Sequence, residues 1–371
     1  MSNLYGNNIK LRIFGGSHDD LIGMEMSSFP RSVELSADDL QAFMNRRAPG
    51  NNSWSTKRKE SDVPELESGV DEKMIDGKVI YVTNGDVLRA VIHNTNQHSR
   101  DYSNTVTVPR PSHADYPAMI KFGKSVDLRG GGKYSGRLTA PLCIAGAFCL
   151  AYLKSLGITV GAHILQIGDV KDTTFDSVSI DSSRLNAISS LQFPLLDESV
   201  ADDMKNVIES ARLDGDSVGG IIECAVVGLP VGIGNHPFDG LEGRISSIIF
   251  SIPAVKAIEF GDGFEIAKRR GSENNDAFFT DGKNVSTVTN HCGGILGGMS
   301  NGMPLVFRAA IKPTPSISKE QNSVDIATMQ NTKLQIVGRH DPCIVPRAVP
   351  VFEAAAAVAI VDSIFDDICE E

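Results

Sequence analysis

Residues 129–153 read RGGGKYSGRLTAPLCIAGAFCLAYL, three consecutive glycines between cations that run straight into a stretch apolar on nearly every side. A helix that is hydrophobic all round has to be buried. Thr139 as cap and Pro141 in the first turn start that helix, and the residues from Leu142 to Leu153 place it at the centre of the core. The glycines, with no Cβ, let the preceding backbone take left-handed turns and come close to a ligand. Arg129, Lys133 and Arg137 then face an anion drawn to exposed amides and to the positive end of the helix.

Outward from this stretch the pattern is mixed. Ser36, followed three residues later by Asp39 and by the apolar stripe Leu40, Phe43 and Met44, starts a helix that should stop before Pro49 and Gly50. Arg46 and Arg47 are thereby left at a loop mouth. Residues 51–65, with Trp54, Lys57, Arg58 and Lys59, read as a mobile loop. Strands are expected at 158–167, 221–227 and 304–311, and helices at 201–213, 238–251 and 352–364. Units of strand, helix and strand are too few for a doubly wound parallel sheet, so the expected class is α+β. No linker rich in Pro, Gly or Ser divides the chain, and residues 1–371 read as a single domain.

The bulk numbers narrow the function. The 371 residues are 41% hydrophobic and 22% charged, and 46 acidic against 35 basic side chains give a net charge of -11. That balance argues against general binding of nucleic acid or of an anionic membrane, and makes any basic cluster local. The six cysteines include no Cys-x-x-Cys pair and suit a reducing compartment. Residues 1–12 lack the apolar core of a signal peptide, and no run approaches the ~18 apolar residues of a membrane span. A cytoplasmic protein is expected.

Nucleotide signatures fail. Lys133 is followed by Tyr134 where a phosphate loop needs Ser or Thr, and Asp127 stands where its first glycine belongs. Residues 293–298 lack the order of a dinucleotide fold but suit a second ligand loop. Three histidines sit in turns beside carboxylates: His18 before Asp19, His113 near Asp115, and His340 before Asp341. Imidazoles titrate at about 6.5 and suit proton transfer. A Ser-His-Asp hydrolase lacks its Gly-x-Ser-x-Gly elbow, and the histidine spacings point to no metal. Arg46, Arg47, Arg137, Arg339 and Arg347, with Lys312-Pro313-Thr314-Pro315-Ser316, would suit a small ligand carrying several negative groups.

These segments together resemble the chorismate synthase family from Met1 to about residue 366. The resemblance rests on Gly15 to His18, Arg46 to Gly50, Arg110 to Tyr116, Arg129 to Arg137, Asp216 to Gly220 and Ser251 to Lys256. It continues through Glu259 to Phe264, Gly271 to Glu273, Gly293 to Gly298, Lys312 to Thr314 and Gly338 to Pro350.

The resemblance implies a sandwich of helices between antiparallel sheets, usually assembled as a homotetramer. It implies a lyase of the shikimate pathway that converts 5-enolpyruvylshikimate 3-phosphate to chorismate and phosphate by a 1,4-anti elimination with reduced FMN. By position, His18 would protonate the departing phosphate, His113 would lie near flavin N1, and Asp341 would relay from N5 the proton lost by the substrate. Ser17, Arg47, Arg137 and Arg347 would bind the substrate, with Arg47 also at a position linked to NADP. FMN contacts would come from Lys133, Tyr134, Ser135, Pro253, Ala254, Gly297, Lys312, Pro313, Thr314, Pro315, Ser316 and Arg339. The chain has no large insertions, which favours an external flavin reductase over its own use of NADPH. A catalytically impaired relative that only binds flavin or a phosphorylated ligand is the alternative, and retention of His18, His113 and Asp341 speaks against it.

The chain departs from the family pattern around the ligands. Gly16 and Asp19 stand where a glutamate and a glycine are usual, Ser112 replaces a glycine, and Ser53 replaces a second NADP-linked arginine. Lys133, Tyr134, Gly136 and Leu138 alter the flavin loop.

Overall fold

The structure is a computed structural model that describes residues 3–48, 54, 62–94, 107–123, 127–336 and 341–366. Most of the expected 51–65 loop, with Ser53, Lys57, Arg58 and Lys59, lies outside the described residues, as do Arg339 and His340. The helices are α1 (Ala37–Arg47), α2 (Asp115–Phe122), α3 (Thr139–Ser155), α4 (Ser182–Ser189), α5 (Ala201–Leu213), α6 (Leu241–Ser251), α7 (Gly271–Asn274) and α8 (Val345–Ile364). One five-stranded sheet runs, in spatial order, Leu4–Tyr5, Lys10–Gly15, Leu21–Ser27, Leu88–His93 and Glu65–Ser68. A second runs Val170–Lys171, Thr159–Ile167, Gly220–Val227, Leu305–Ile311 and Val255–Phe260. Every pairing in both is antiparallel.

Between the sheets lie α3 and α8. α3 packs on α8, with its flank against Leu21–Ser27 and Leu88–His93 of the first sheet, while α8 rests on Thr159–Ile167 and Gly220–Val227 of the second. The α+β class and the helix sandwich therefore match expectation. The reason is visible in α3, where every residue from Thr139 to Cys149 is buried. Residues 136–155 are long and apolar enough to cross a membrane by composition, a run that the sequence reading did not anticipate. Here they form a core helix, sealed on both sides by protein.

Several boundaries move, each for a physical reason. Thr139 does not cap α3: a 3₁₀ turn over Gly136–Leu138, itself capped by Ser135, leads directly into the helix, so Thr139 is already helical. α6 starts at Leu241 because Gly240 holds the extended N-cap conformation. α8 starts at Val345, well before residue 352, because Pro346 suits a first turn and helix continues through Pro350. A proline inside a helix loses one backbone donor. Burial of every residue from Val345 to Ser363 except Arg347 outweighs that loss.

A second buried network holds the far side of the second sheet. His163, fully enclosed, places Nδ1 3.1 Å from Asp172 and Nε2 3.0 Å from Glu223. Asp172 also accepts from the backbone of Thr173, Leu196 and Asp197, which pins the segment between α4 and α5 to the sheet.

At the α3–α8 contact, Gly146 lies against Ala354 so closely that an added Cβ would overlap the alanine's Cα and Cβ. Gly146→Val should therefore destabilise the protein by about 1–3 kcal/mol through overpacking. Urea unfolding checks this, and an unchanged midpoint would contradict the close approach.

Candidate active site

The glycine run takes the predicted left-handed path: φ is 58° at Gly130, 94° at Gly131 and 53° at Gly132. A side chain in that region costs roughly 1–2 kcal/mol per residue, so three in succession call for glycine. The loop is tied to the turn after Gly15. Ser17 N donates to Gly132 O at 3.3 Å, and Ser17 Oγ donates to Arg129 O at 3.0 Å. Ser17 Oγ also lies 3.3 Å from His18 Nδ1. A Cβ on Gly130 would fall 2.7 Å from His18 Nδ1, and one on Gly131 would fall 3.5 Å from His113 Nε2. The run thus threads between two imidazoles that are far apart in sequence.

The loop cations do not all face one anion site. Arg129 turns outward to Asp127 at 2.6 Å, which corrects its expected role. The Lys133 ammonium stands 3.9 Å from the Phe122 ring centroid and 5.4 Å from that of Tyr134. Arg137 turns inward.

His113 belongs to a tight polar cluster at the start of α2. Its Nδ1 lies 2.5 Å from Asp115 Oδ1, while Arg110 donates to the same carboxylate from Nε at 2.6 Å and from its second terminal nitrogen at 2.8 Å. Burial pushes the Asp115 carboxyl up, but the hydrogen bonds from Arg110 and His113 outweigh it and hold it well below the usual range. Arg110 also donates to Ser316 Oγ at 3.2 Å, and Lys312 Nζ donates to the backbone oxygen of Ser112 and, at 2.9 Å, to its hydroxyl. The 312–316 loop is so joined to the His113 turn.

That loop has further signs of a ligand. Lys312 N donates to Ala254 O at 2.9 Å, and Ala254 sits at φ 75°, a left-handed strain of the kind that clusters at active sites and ligand clamps. Burial and the nearby Lys256 charge push the Lys312 ammonium pKa down. Its described partners are neutral oxygens.

Arginines form the third group. Arg47, almost wholly buried, donates to Asp62 at 2.5 Å, to Thr139 Oγ1 at 3.1 Å and to Gly136 O at 3.0 Å. Asp62 also binds Arg137, whose Nε reaches Asn94 Oδ1 at 3.1 Å. Arg347 pairs with Asp341 and donates to Arg47 O at 3.0 Å. Arg46 is not of this group. Adjacent helical residues point about 100° apart, and Arg46 turns into the interior to clasp Glu353 of α8 at 2.6 and 2.9 Å.

The structure therefore gathers Ser17, His18, His113, Lys312, Ser316, Ala254, Arg47, Arg137, Asp341 and Arg347 through a continuous set of contacts. Gly297 stands apart, in a turn whose neighbour Gly298 packs on Gly240 at the opposite end of α6 from Pro253 and Ala254, about 16 Å along the helix. Arg339 lies outside the described residues.

A family model described as chorismate synthase matches residues 9–365. The chain belongs to the chorismate synthase family. The chorismate synthase of Lancefieldella parvula is 42% identical over 98% of this chain and 97% of its own length. That of Methanobrevibacter smithii is 40% identical over 98% of this chain and 96% of its own. A solved chorismate synthase structure superposes with a TM-score of 0.74 at 26% identity, covering 98% of this chain and 93% of that one. The family works with a flavin cofactor and a phosphorylated small-molecule substrate. The residues present fit a flavin: Thr314 Oγ1 is buried with no partner among the described residues, in the loop that Lys312 N ties to the strained Ala254.

Two residues of the site escaped the sequence reading. Asn94 carries no motif of its own. Asp62 lies in a charged stretch that resembles any solvated run, yet its side chain is fully buried and it takes φ 42°. Burial would push its carboxyl up, but Arg47 and Arg137 outweigh this and hold it below the usual value. A depressed carboxyl contributes stability above its unfolded value, near 3.8, and loses it as pH falls from there through the folded value. Asp62→Asn should cost about 3–5 kcal/mol at neutral pH by leaving buried guanidinium charge uncompensated. The gap from the parent should narrow below about pH 4. Urea unfolding at both pH values measures it, and equal stability at neutral pH would refute the clamp.

Proposed function

We propose that this chain converts 5-enolpyruvylshikimate 3-phosphate to chorismate and phosphate by a 1,4-anti elimination, as a single domain that binds reduced FMN. The observation that carries the reading is the glycine run between His18 and His113, which puts two proton-carrying rings on either side of one ligand loop. Overall the substrate loses phosphate from C3 and a proton from C6, so no net oxidation occurs. When bound, reduced FMN supplies transient electron density to the allylic system.

The chain's own groups do the rest. His18, held by Ser17, gives a proton to the departing phosphate. His113 would take or give a proton at the flavin N1 edge, and Asp341 would carry away the proton lost from C6. Arg137 and Arg347 bind the substrate's anionic groups, with Ser17 and Arg47 beside them. Two-point guanidinium contacts suit phosphate and carboxylate. Lys133, Tyr134, Ser135, Pro253, Ala254, Lys312, Pro313, Thr314, Pro315 and Ser316 would hold FMN, together with Arg339. The positive N-terminal ends of α3 and α8 favour a polyanion in the same place.

Arg47 bears on the source of the reduced flavin. Its guanidinium is committed to Asp62, Thr139 and Gly136 O and is almost wholly buried, a poor setting for the phosphate of NADPH. An external flavin reductase in the cytoplasm is therefore the reductant we assign. A homotetramer would cover Phe278, Phe279, Val285 and Val288, which one hairpin leaves exposed.

Under anaerobic conditions with reduced FMN, the protein should release phosphate from 5-enolpyruvylshikimate 3-phosphate, and no release at saturating flavin would sink the proposal. His113→Ala and Asp341→Ala should each lower turnover by about 10²–10⁴-fold while FMN binding persists, the range expected for loss of a proton-transfer group. Flavin titration and phosphate release measure both halves, and undiminished turnover would remove the assigned roles.

A further inference from the structure

We propose that Asp115 is a positioning residue for the elimination: it fixes the His113 proton on Nδ1 and so presents Nε2 to the glycine run. The inference rests on the catalytic reading of His113 given above.

Asp115 is buried, with its side chain 1% exposed, and its two oxygens face a closed set of donors. Oδ2 accepts from Arg110 N at 3.0 Å and Arg110 Nε at 2.6 Å. Oδ1 accepts from the second terminal nitrogen of Arg110 at 2.8 Å and lies 2.5 Å from His113 Nδ1. An ionised carboxylate only accepts hydrogen bonds, so Nδ1 has to carry the hydrogen. The same Arg110 nitrogen also lies 3.1 Å from Nδ1, but guanidinium nitrogens only donate, and two donors do not bond each other. Arg110 is therefore directed to the carboxylate, and the carboxylate to the ring.

The consequence is at the other nitrogen. Nε2 is left to take or give the catalytic proton, and it points at Gly131, where a Cβ would stand 3.5 Å away and none exists. A carboxylate on one imidazole nitrogen sets the chemistry of the other in this way at metal sites and in hydrolases. Loss of such an orienting carboxylate through the wrong tautomer costs about 10⁴-fold in a serine-protease triad. Arg110 extends the constraint by its 3.2 Å contact to Ser316, so that ring orientation and the 312–316 loop are set together.

The test is nitrogen NMR of the His113 ring in the intact protein, joined to kinetics of Asp115→Asn. In the parent, the neutral form of the ring should show hydrogen on Nδ1 and a bare Nε2. A bare Nδ1 overturns the proposal, whatever the variant does. In Asp115→Asn the tautomer should become mixed or reversed, and kcat should fall at least about 100-fold while KM and FMN affinity hold. A folded variant with full kcat overturns the proposal as well. Arg110→Lys, which keeps the charge and the carboxylate, should retain the Nδ1 tautomer; a reversed tautomer there would assign the constraint to Arg110 instead. His113→Ala separates the two readings: retained turnover in that variant removes the role of His113, whereas collapse there with full activity in Asp115→Asn removes only the role of Asp115.

Discussion

Gly146 of α3 lies directly against Ala354 of α8, and the close approach of these two buried helices sets the positions of the functional groups. α3 begins where the glycine run ends, and α8 begins just after Asp341. Arg47 bonds Thr139 in the first turn of α3, and Arg347 in the first turn of α8 bonds Arg47 O. Both helix starts therefore meet at one arginine group. A shift of one helix along the other would separate the glycine run from Asp341 without breaking either local motif.

The second constraint is electrostatic. Arg47 and Arg137 share the buried Asp62, Arg347 pairs with Asp341, and Arg110 pairs with Asp115. Guanidinium groups brought out of water are expensive unless a carboxylate is placed beside them. Holding them in pairs keeps their geometry before a ligand arrives, so less ordering is left for binding to offset. Among the described residues, Arg47, Arg137 and Arg347 carry one more positive charge than Asp62 and Asp341 carry negative, and Lys312 adds another. That surplus suits a multiply charged anion in a protein that is acidic as a whole.

Much of this was legible in the chain. The apolar run after the glycines identified the central helix, Ser36 capped α1 as read, and the histidine and arginine motifs pointed to the residues that the fold brings together. What failed shares one cause. Arg46 and Arg47 are neighbours in sequence, but one clasps Glu353 in the interior and the other enters the site, because a helix sends them to different faces. Arg129 belongs to the glycine motif yet faces Asp127 and solvent. Asp62 looked like part of a charged loop and is a buried bridge between two arginines.

The sequence by itself determined the left-handed path at Gly130 to Gly132, the burial of α3, and the kinds of side chain that a phosphorylated substrate and a flavin require. These are local properties: they follow from a missing Cβ, an unbroken apolar surface and the chemistry of each residue type. Only the tertiary structure decided which nitrogen of His113 faces Asp115 and which faces the glycines, which of two adjacent arginines serves the site, and where Asp62 lies. Apart from the His113–Asp115 contact itself, which spans two positions, those outcomes depend on contacts between residues 15 to 307 positions apart, whose distances are set by how α3 and α8 pack between the two sheets.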